Sequence, residues 1–306
     1  MSALTVLQPP PLDAVRRIAA FMANFSIEAT RPTDTDIAAL AVLPRGTRVY
    51  LSAVPGRPAA ETVAAAIRLR AAGFEPLPHL AVRNFLSVDA LDDFLARLNA
   101  EADVRRVLVI AGDRAACGPF RCASDAIDSG ILRRRGMRAI GIAGYPEGHP
   151  RVSDAELGRA LSAKIAAAEA IGLSVEIVTQ FSFAAHAILA YVARLRAFGF
   201  EQPVRIGLAG PTSLPTLVRY TQRCGVRASA PALAQRCGLV RRMFAMTAPD
   251  DLVRTLANAA PANVSVHLFS FGRSPASARW ARAVAEGNIE LEGPSGFRVA
   301  PQRHVV

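Results

Sequence analysis

Lysine is almost missing from this chain: Lys164 is the only one among 36 basic residues, the others being arginine. Aromatics are scarce as well, at 6% against 51% hydrophobic residues. A core must then be built from Ala, Val, Leu and Ile, which suits apolar strands packed between Ala-rich helices. No apolar run reaches the roughly 18 residues of a membrane span. Residues 1–13 contain no basic stretch leading into an apolar core, so neither a membrane anchor nor a signal peptide is expected. Cys117, Cys122, Cys224 and Cys237 form no CxxC pair and read as free thiols of a cytoplasmic protein. A Walker A loop is absent, and so is a GxGxxG after the first strand, which removes two common nucleotide cradles. The net charge of +11 is spread over all predicted helices. Only residues 133–135 make a basic run, on a helix end where cations favour the dipole. Nucleic acid is therefore not the expected partner; a polyanionic small ligand accounts for part of the charge.

What is present is an alternation. β-rich segments are predicted over residues 24–30, 47–54, 74–82, 106–111, 139–143, 174–183, 204–209 and 264–271. Helical segments precede and separate them, over 11–23, 33–40, 59–72, 87–100, 124–135, 154–171, 184–198 and 214–223, with two pieces in 228–259 and a last one over 274–286. Residues 287–306 show no period and are expected to be irregular. Eight strands recurring about every 30 residues imply parallel pairing. The expected fold is a closed (β/α)8 TIM barrel in one catalytic domain, 1–306.

Such a barrel gathers the polar residues at the carboxyl ends of its strands: Glu28, Ser52, His79, Asp113, Tyr145 with Glu147 and His149, Gln180, Thr212 and Ser270. Inward positions at mid-barrel are expected to be apolar, confining carboxylates to the mouth. In a partly dry mouth Glu28 would have a raised pKa and suit general acid work; its plainer alternative is a surface ion pair. Asp113 reads equally as a turn or helix cap, and His79 as a hydrogen-bonded core histidine. His149, between Gly148 and Pro150, lies on a loop. Glu28, His79, Asp113 and His149 can be drawn as a metal set, as in a barrel hydrolase or lyase, but no HxH pair follows the first strand, and no metal is expected. Lys164 sits mid-helix, either solvated or aimed as a point charge at a phosphate. A pyrophosphate here would rest on loop amides and helix N-termini.

The run Ala143-Gly-Tyr-Pro-Glu-Gly-His-Pro150, the run Ile177-Val-Thr-Gln-Phe-Ser-Phe183 and the strand ending Gly112-Asp113 resemble the methylenetetrahydrofolate reductase family. Phe25-Ser-Ile-Glu28 and Pro78-His-Leu80 are weaker matches. In order and spacing the resemblance covers about residues 20–285. It implies FAD as cofactor, NADH or NADPH as electron donor, and reduction of 5,10-methylenetetrahydrofolate to 5-methyltetrahydrofolate by a homo-oligomer. Glu28 falls on the general acid that assists N10 protonation and ring opening. Asp113 falls on the aspartate at the flavin pyrimidine edge, which favours the cationic iminium form of folate. His79, Ala123, Ser124, Ala143, Tyr145, His149 and Lys164 fall on FAD contacts, Gln180 on the glutamine that meets folate and nicotinamide, with Phe181 beside it at the substrate. Four features depart from the family. Glu28 is followed by Ala29-Thr-Arg-Pro32 instead of two phenylalanines and two prolines. Ala111 stands where arginine is usual, Ser52 where threonine is, and Cys122 where tyrosine is. A reversed, oxidative direction, a metal-dependent barrel enzyme and a non-catalytic subunit remain as alternatives.

Overall fold

A computed structural model describes residues 11–54, 56–224 and 246–301. Eight parallel strands close on themselves: β1 (Ser26–Ala29), β2 (Arg48–Leu51), β3 (Glu75–Ala81), β4 (Arg106–Ile110), β5 (Ala139–Gly144), β6 (Ser174–Phe181), β7 (Val204–Ala209) and β10 (Val264–Phe269), with β1 sealing the ring against β10. Between β7 and β10 a small antiparallel ribbon joins β8 (Thr212–Ser213) to β9 (Met246–Thr247). The (β/α)8 architecture expected from the alternation is the one observed, and strand bounds differ from expectation by a few residues at most.

The outer helices are α1 (Pro11–Met22), α2 (Asp34–Ala39), α3 (Ala59–Ala71), α4 (Val88–Ala102), α5 (Ala123–Asp128), α6 (Ile131–Arg134), α7 (Asp154–Ala170), α8 (Ala185–Ala197), α9 (Leu214–Cys224), α10 (Asp250–Ala259) and α11 (Ser274–Ala285). Their starts follow the chain's cap chemistry. Thr33 and Ser153 each form reciprocal caps with the acid three residues on, Asp36 and Glu156. Their apolar stripes and the outward faces of the strands, such as Ile27, Val49, Leu80, Val107 and Ile142, make one continuous buried core.

Three expectations are corrected. The single helix over 124–135 is two, because Gly130 adopts a left-handed φ of 67° between α5 and α6. The tail is not irregular: β11 (Ile289–Glu292) and β12 (Gly296–Val299) pair as an antiparallel hairpin that packs Phe297 on Trp280. Two-residue alternation over four-residue strands is too short to read against turn-like Gly and Pro neighbours. Of the segment 228–259, α10 is observed, while 228–245 lies outside the described residues. The third correction concerns the carboxylates, which are not confined to the mouth, although the mid-barrel layer is apolar as expected. At its amino end Arg205 and Glu176 pair at 2.8 Å, Arg48 reaches Glu176 and Glu75 at 3.2 Å each, and Arg106 reaches Glu75 at 3.1 Å. Carboxylates are tolerated there because each faces a guanidinium. Above this plug Tyr50, Leu77, Leu108 and Val178 form a small apolar layer.

Candidate active site at the carboxyl mouth

Above that apolar layer, strand alternation turns Ser26 and Glu28 of β1, His79 of β3 and His267 of β10 into the same space. Glu28 Oε1 accepts a hydrogen bond from the Ser52 hydroxyl at 2.5 Å, and Ser52 is bonded to Thr30 at 2.7 Å. Ser270 donates to the Glu28 carbonyl at 2.6 Å. Glu28 Oε2 faces two imidazoles, His79 Nε2 at 3.7 Å and His267 Nε2 at 3.6 Å. His267 is fully buried; its Nδ1 lies 3.0 Å from Ser26 Oγ. The Tyr50 ring packs against both imidazoles, its centroid 4.4 Å from His267 and 6.0 Å from His79.

The electrostatics correct the expectation of a raised pKa for Glu28. Burial alone pushes its carboxyl up. The approach of His267, the fields of His79 and His267 and the Ser52 hydroxyl outweigh burial, and the net direction is down. His79 is also shifted down, by burial first; the Glu28 charge opposes this and His267 adds to it.

A second group gathers over β4 and β5. Asp113 is exposed on the loop after β4, close enough for its charge to act on both Tyr145 and His149. Burial, and then that charge, raise the Tyr145 pKa; burial and Arg151 lower that of His149 while Asp113 opposes them. The Tyr145 and His149 rings meet edge to face at 5.2 Å, and His149 Nδ1 accepts the Arg151 amide at 3.2 Å. Gly148 turns this loop with a φ of 74°. Ala143, just below, shares the lumen face of β5 with Gly141.

A third group lies outside the rim, where α5 packs on α7. Lys164 is partly buried near Cys122, the cap of α5, with Ala123 and Ser124 following. Burial lowers its pKa, and among the described residues no carboxylate lies within ion-pair distance of it. A half-buried cation with no anion, beside a helix start, fits a phosphate group. Cys117 and Cys122 are free and exposed.

Phe181 is buried at the end of β6, ringed by Phe183, Phe269 and Phe271 at 5.3–5.8 Å. Gln180 precedes it in β6, where the register against β7 shifts between Val178 and Phe181. Thr212 stands apart from the Glu28 group, in the β8–β9 ribbon. A cavity of about 220 Å³ opens beside Ser52 and His79, walled by Leu51, Ala81, Phe85 and Phe94, with Arg31 and Arg57 also lining it. Among the described residues no set of His, Cys, Asp or Glu is arranged to hold a metal ion, and no helix is long and apolar enough to cross a membrane. The functional candidate that sequence reasoning missed is His267. A lone histidine in the apolar run Val-Ser-Val-His-Leu-Phe reads as core, and the signal available was its strand parity, shared with the lumen-facing Ser265 and Phe269.

Among solved structures the chain is similar to dihydropteroate synthase (FolP) from Thermus thermophilus, at 17% identity and a TM-score of 0.47 over 86% of this chain and 93% of that one. A family model for methylenetetrahydrofolate reductase matches residues 43–266. That range contains β2 through β7 whole, with His79, Asp113, the Tyr145–His149 loop, Lys164 and Gln180; Glu28 precedes it. With most of its length matched, the chain belongs to the methylenetetrahydrofolate reductase family, oxidoreductases that act on folate-borne one-carbon units.

Proposed function

We propose that this chain reduces 5,10-methylenetetrahydrofolate to 5-methyltetrahydrofolate with NADH or NADPH through bound FAD, Glu28 serving as the acid that opens the folate ring. The observation that carries this reading is the Glu28 carboxylate at the barrel mouth, gripped by Ser52 at 2.5 Å and faced by two imidazoles. When bound, FAD supplies the two-electron carrier that takes hydride from nicotinamide and gives it to folate in turn. Lys164, with Ala123 and Ser124, would hold its phosphates; Tyr145, His149 and Ala143 would line its path inward, and His79 and Asp113 would flank its ring.

The other roles follow from charge and position. Glu28 delivers a proton to N10 while that nitrogen leaves the bridging carbon. Asp113, on the loop after β4, would favour the cationic iminium carbon of the opened folate through its carboxylate. Gln180 orients the pterin or the nicotinamide, with Phe181 as the apolar floor beside it. The same reading makes the protein a cytoplasmic homo-oligomer.

The test is direct. Purified protein should take up FAD and absorb near ~450 nm. Anaerobic NADH or NADPH should bleach it, and methylenetetrahydrofolate should restore the colour. A colourless protein that cannot be reconstituted with FAD overturns the proposal.

A further inference from the structure

Three buried polar atoms without a hydrogen-bond partner among the described residues converge on one point: Glu28 Oε2, His79 Nε2 and His267 Nε2. At 3.6 and 3.7 Å the imidazoles stand just outside bonding range of the carboxylate. Three such atoms in a desolvated site are costly unless they share protons, and a slight closure brings either imidazole within hydrogen-bond reach of Glu28 Oε2.

The surroundings fix which atoms take part. Glu28 Oε1 is occupied by the Ser52 hydroxyl, leaving Oε2 to exchange. The His267 ring is clamped by Tyr50 and by Phe269, whose centroid lies 4.8 Å away. Ser26 Oγ is 3.0 Å from His267 Nδ1 and 3.4 Å from the Val266 carbonyl, so its proton sits better on Nδ1. That tautomer turns an Nε2–H toward Glu28. His267 is sealed from solvent, whereas the His79 side chain keeps 11% exposure. Among the described residues no other charged group forms an ion pair with Glu28. Tyr50 directs its hydroxyl away, to Glu176 at 3.4 Å, and Arg48 and Arg205 beyond it are already paired with Glu176.

We propose that Glu28 and His79 hold one exchangeable proton in common, His79 passing it in from the mouth and the His267 Nε2–H keeping Glu28 oriented to receive it. This rests on the reading of Glu28 as the folate acid. It makes both histidines positioning residues, and it gives His79 a role beyond the cofactor contact that the family resemblance implies. The step balances. The His79 imidazolium gives its Nε2 proton to Glu28 Oε2. Glu28 passes that proton to N10 as the bond from N10 to the bridging carbon breaks, the electron pair staying on nitrogen. The neutral His79 takes its next proton from water.

The first test needs no flavin, so it is independent of the reductase reading. In the full chain labelled with ¹⁵N at its five histidines, the His79 imidazole should titrate in a two-step curve coupled to Glu28. In Glu28→Gln that curve should become a single step, with the His79 midpoint moved further down because the Glu28 charge that raised it is gone. Unchanged midpoints in Glu28→Gln overturn the shared proton. The second test reads the relay. His79→Ala should slow folate-driven flavin reoxidation about 10–100-fold, and added imidazole should restore part of the rate. A slowed enzyme that binds flavin and ignores imidazole removes His79 from the relay.

Discussion

At the amino end of the barrel Glu75 and Glu176 meet Arg48, Arg106 and Arg205 at 2.8–3.2 Å; at the carboxyl end Glu28 meets His79 and His267 at 3.6–3.7 Å. Both regions bury carboxylates inside the same lumen, one apolar layer apart. The amino-end acids are matched by permanent cations in tight geometry, which is how a charge is made safe inside a protein. The mouth acid is matched by groups that can lose their charge, at distances just beyond hydrogen-bond range. That arrangement costs stability and gains a transferable proton, a pattern found at catalytic sites and seldom in structural ones.

The comparison can be broken most forcefully from below. Glu176→Gln leaves Arg205, only 1% exposed, without its counter-charge. Unfolding in denaturant should show a loss of about 3–5 kcal/mol. A loss well under 1 kcal/mol would make the plug no more structural than the mouth. Lys164→Met comes next. It removes a cation that burial already disfavours, so the fold should be untouched while FAD retention falls about 10–100-fold, the worth of one or two charged hydrogen bonds. Flavin titration reads this.

Acid sharpens the contrast further. Glu28 and His79 both have folded pKa values below their ordinary ones of 4.5 and 6.5, so the folded state binds fewer protons than the unfolded chain. Their contribution is full above those values. It is lost as pH falls, from His79 first, below about 6.5, and then from Glu28, below about 4.5. Melting temperature plotted against pH should therefore fall less steeply in Glu28→Gln than in the wild type below about pH 4.5, where the Glu28 contribution is lost. The smallest effect expected is that of Tyr50→Phe. The hydroxyl it removes meets Glu176 at a long 3.4 Å, so the cost should be about 0.5–1 kcal/mol. The ring between the two regions stays, and folate turnover should stay with it.

Legibility in the sequence differed between the same two regions. The eight strands could be read because each is a short apolar run ended by Gly, Pro or a polar residue. Glu28, His79, Asp113, Tyr145 and His149 could be read because they sit where those runs end. His267 was hidden, since its partners Ser26 and Glu28 lie on β1, at the far end of the chain, and only barrel closure brings the strands together. The ionic plug was hidden for a related reason. Arg48, Glu75, Arg106, Glu176 and Arg205 stand at or near strand starts, where single charges read as solvated ends, and their pairing runs across the lumen, which no local pattern records. The direction of the Glu28 shift was misjudged on the same account: burial is legible from composition, the neighbouring imidazoles are not.

The central claim is that the mouth acid serves folate chemistry and nothing else. Stopped-flow kinetics of flavin-loaded Glu28→Gln under anaerobic conditions tests it most directly. Reduction of the flavin by nicotinamide should proceed near the wild-type rate, while reoxidation by methylenetetrahydrofolate should fall by about 10²–10⁴-fold. Equal loss of both half-reactions, or an unaltered folate step, would contradict the account.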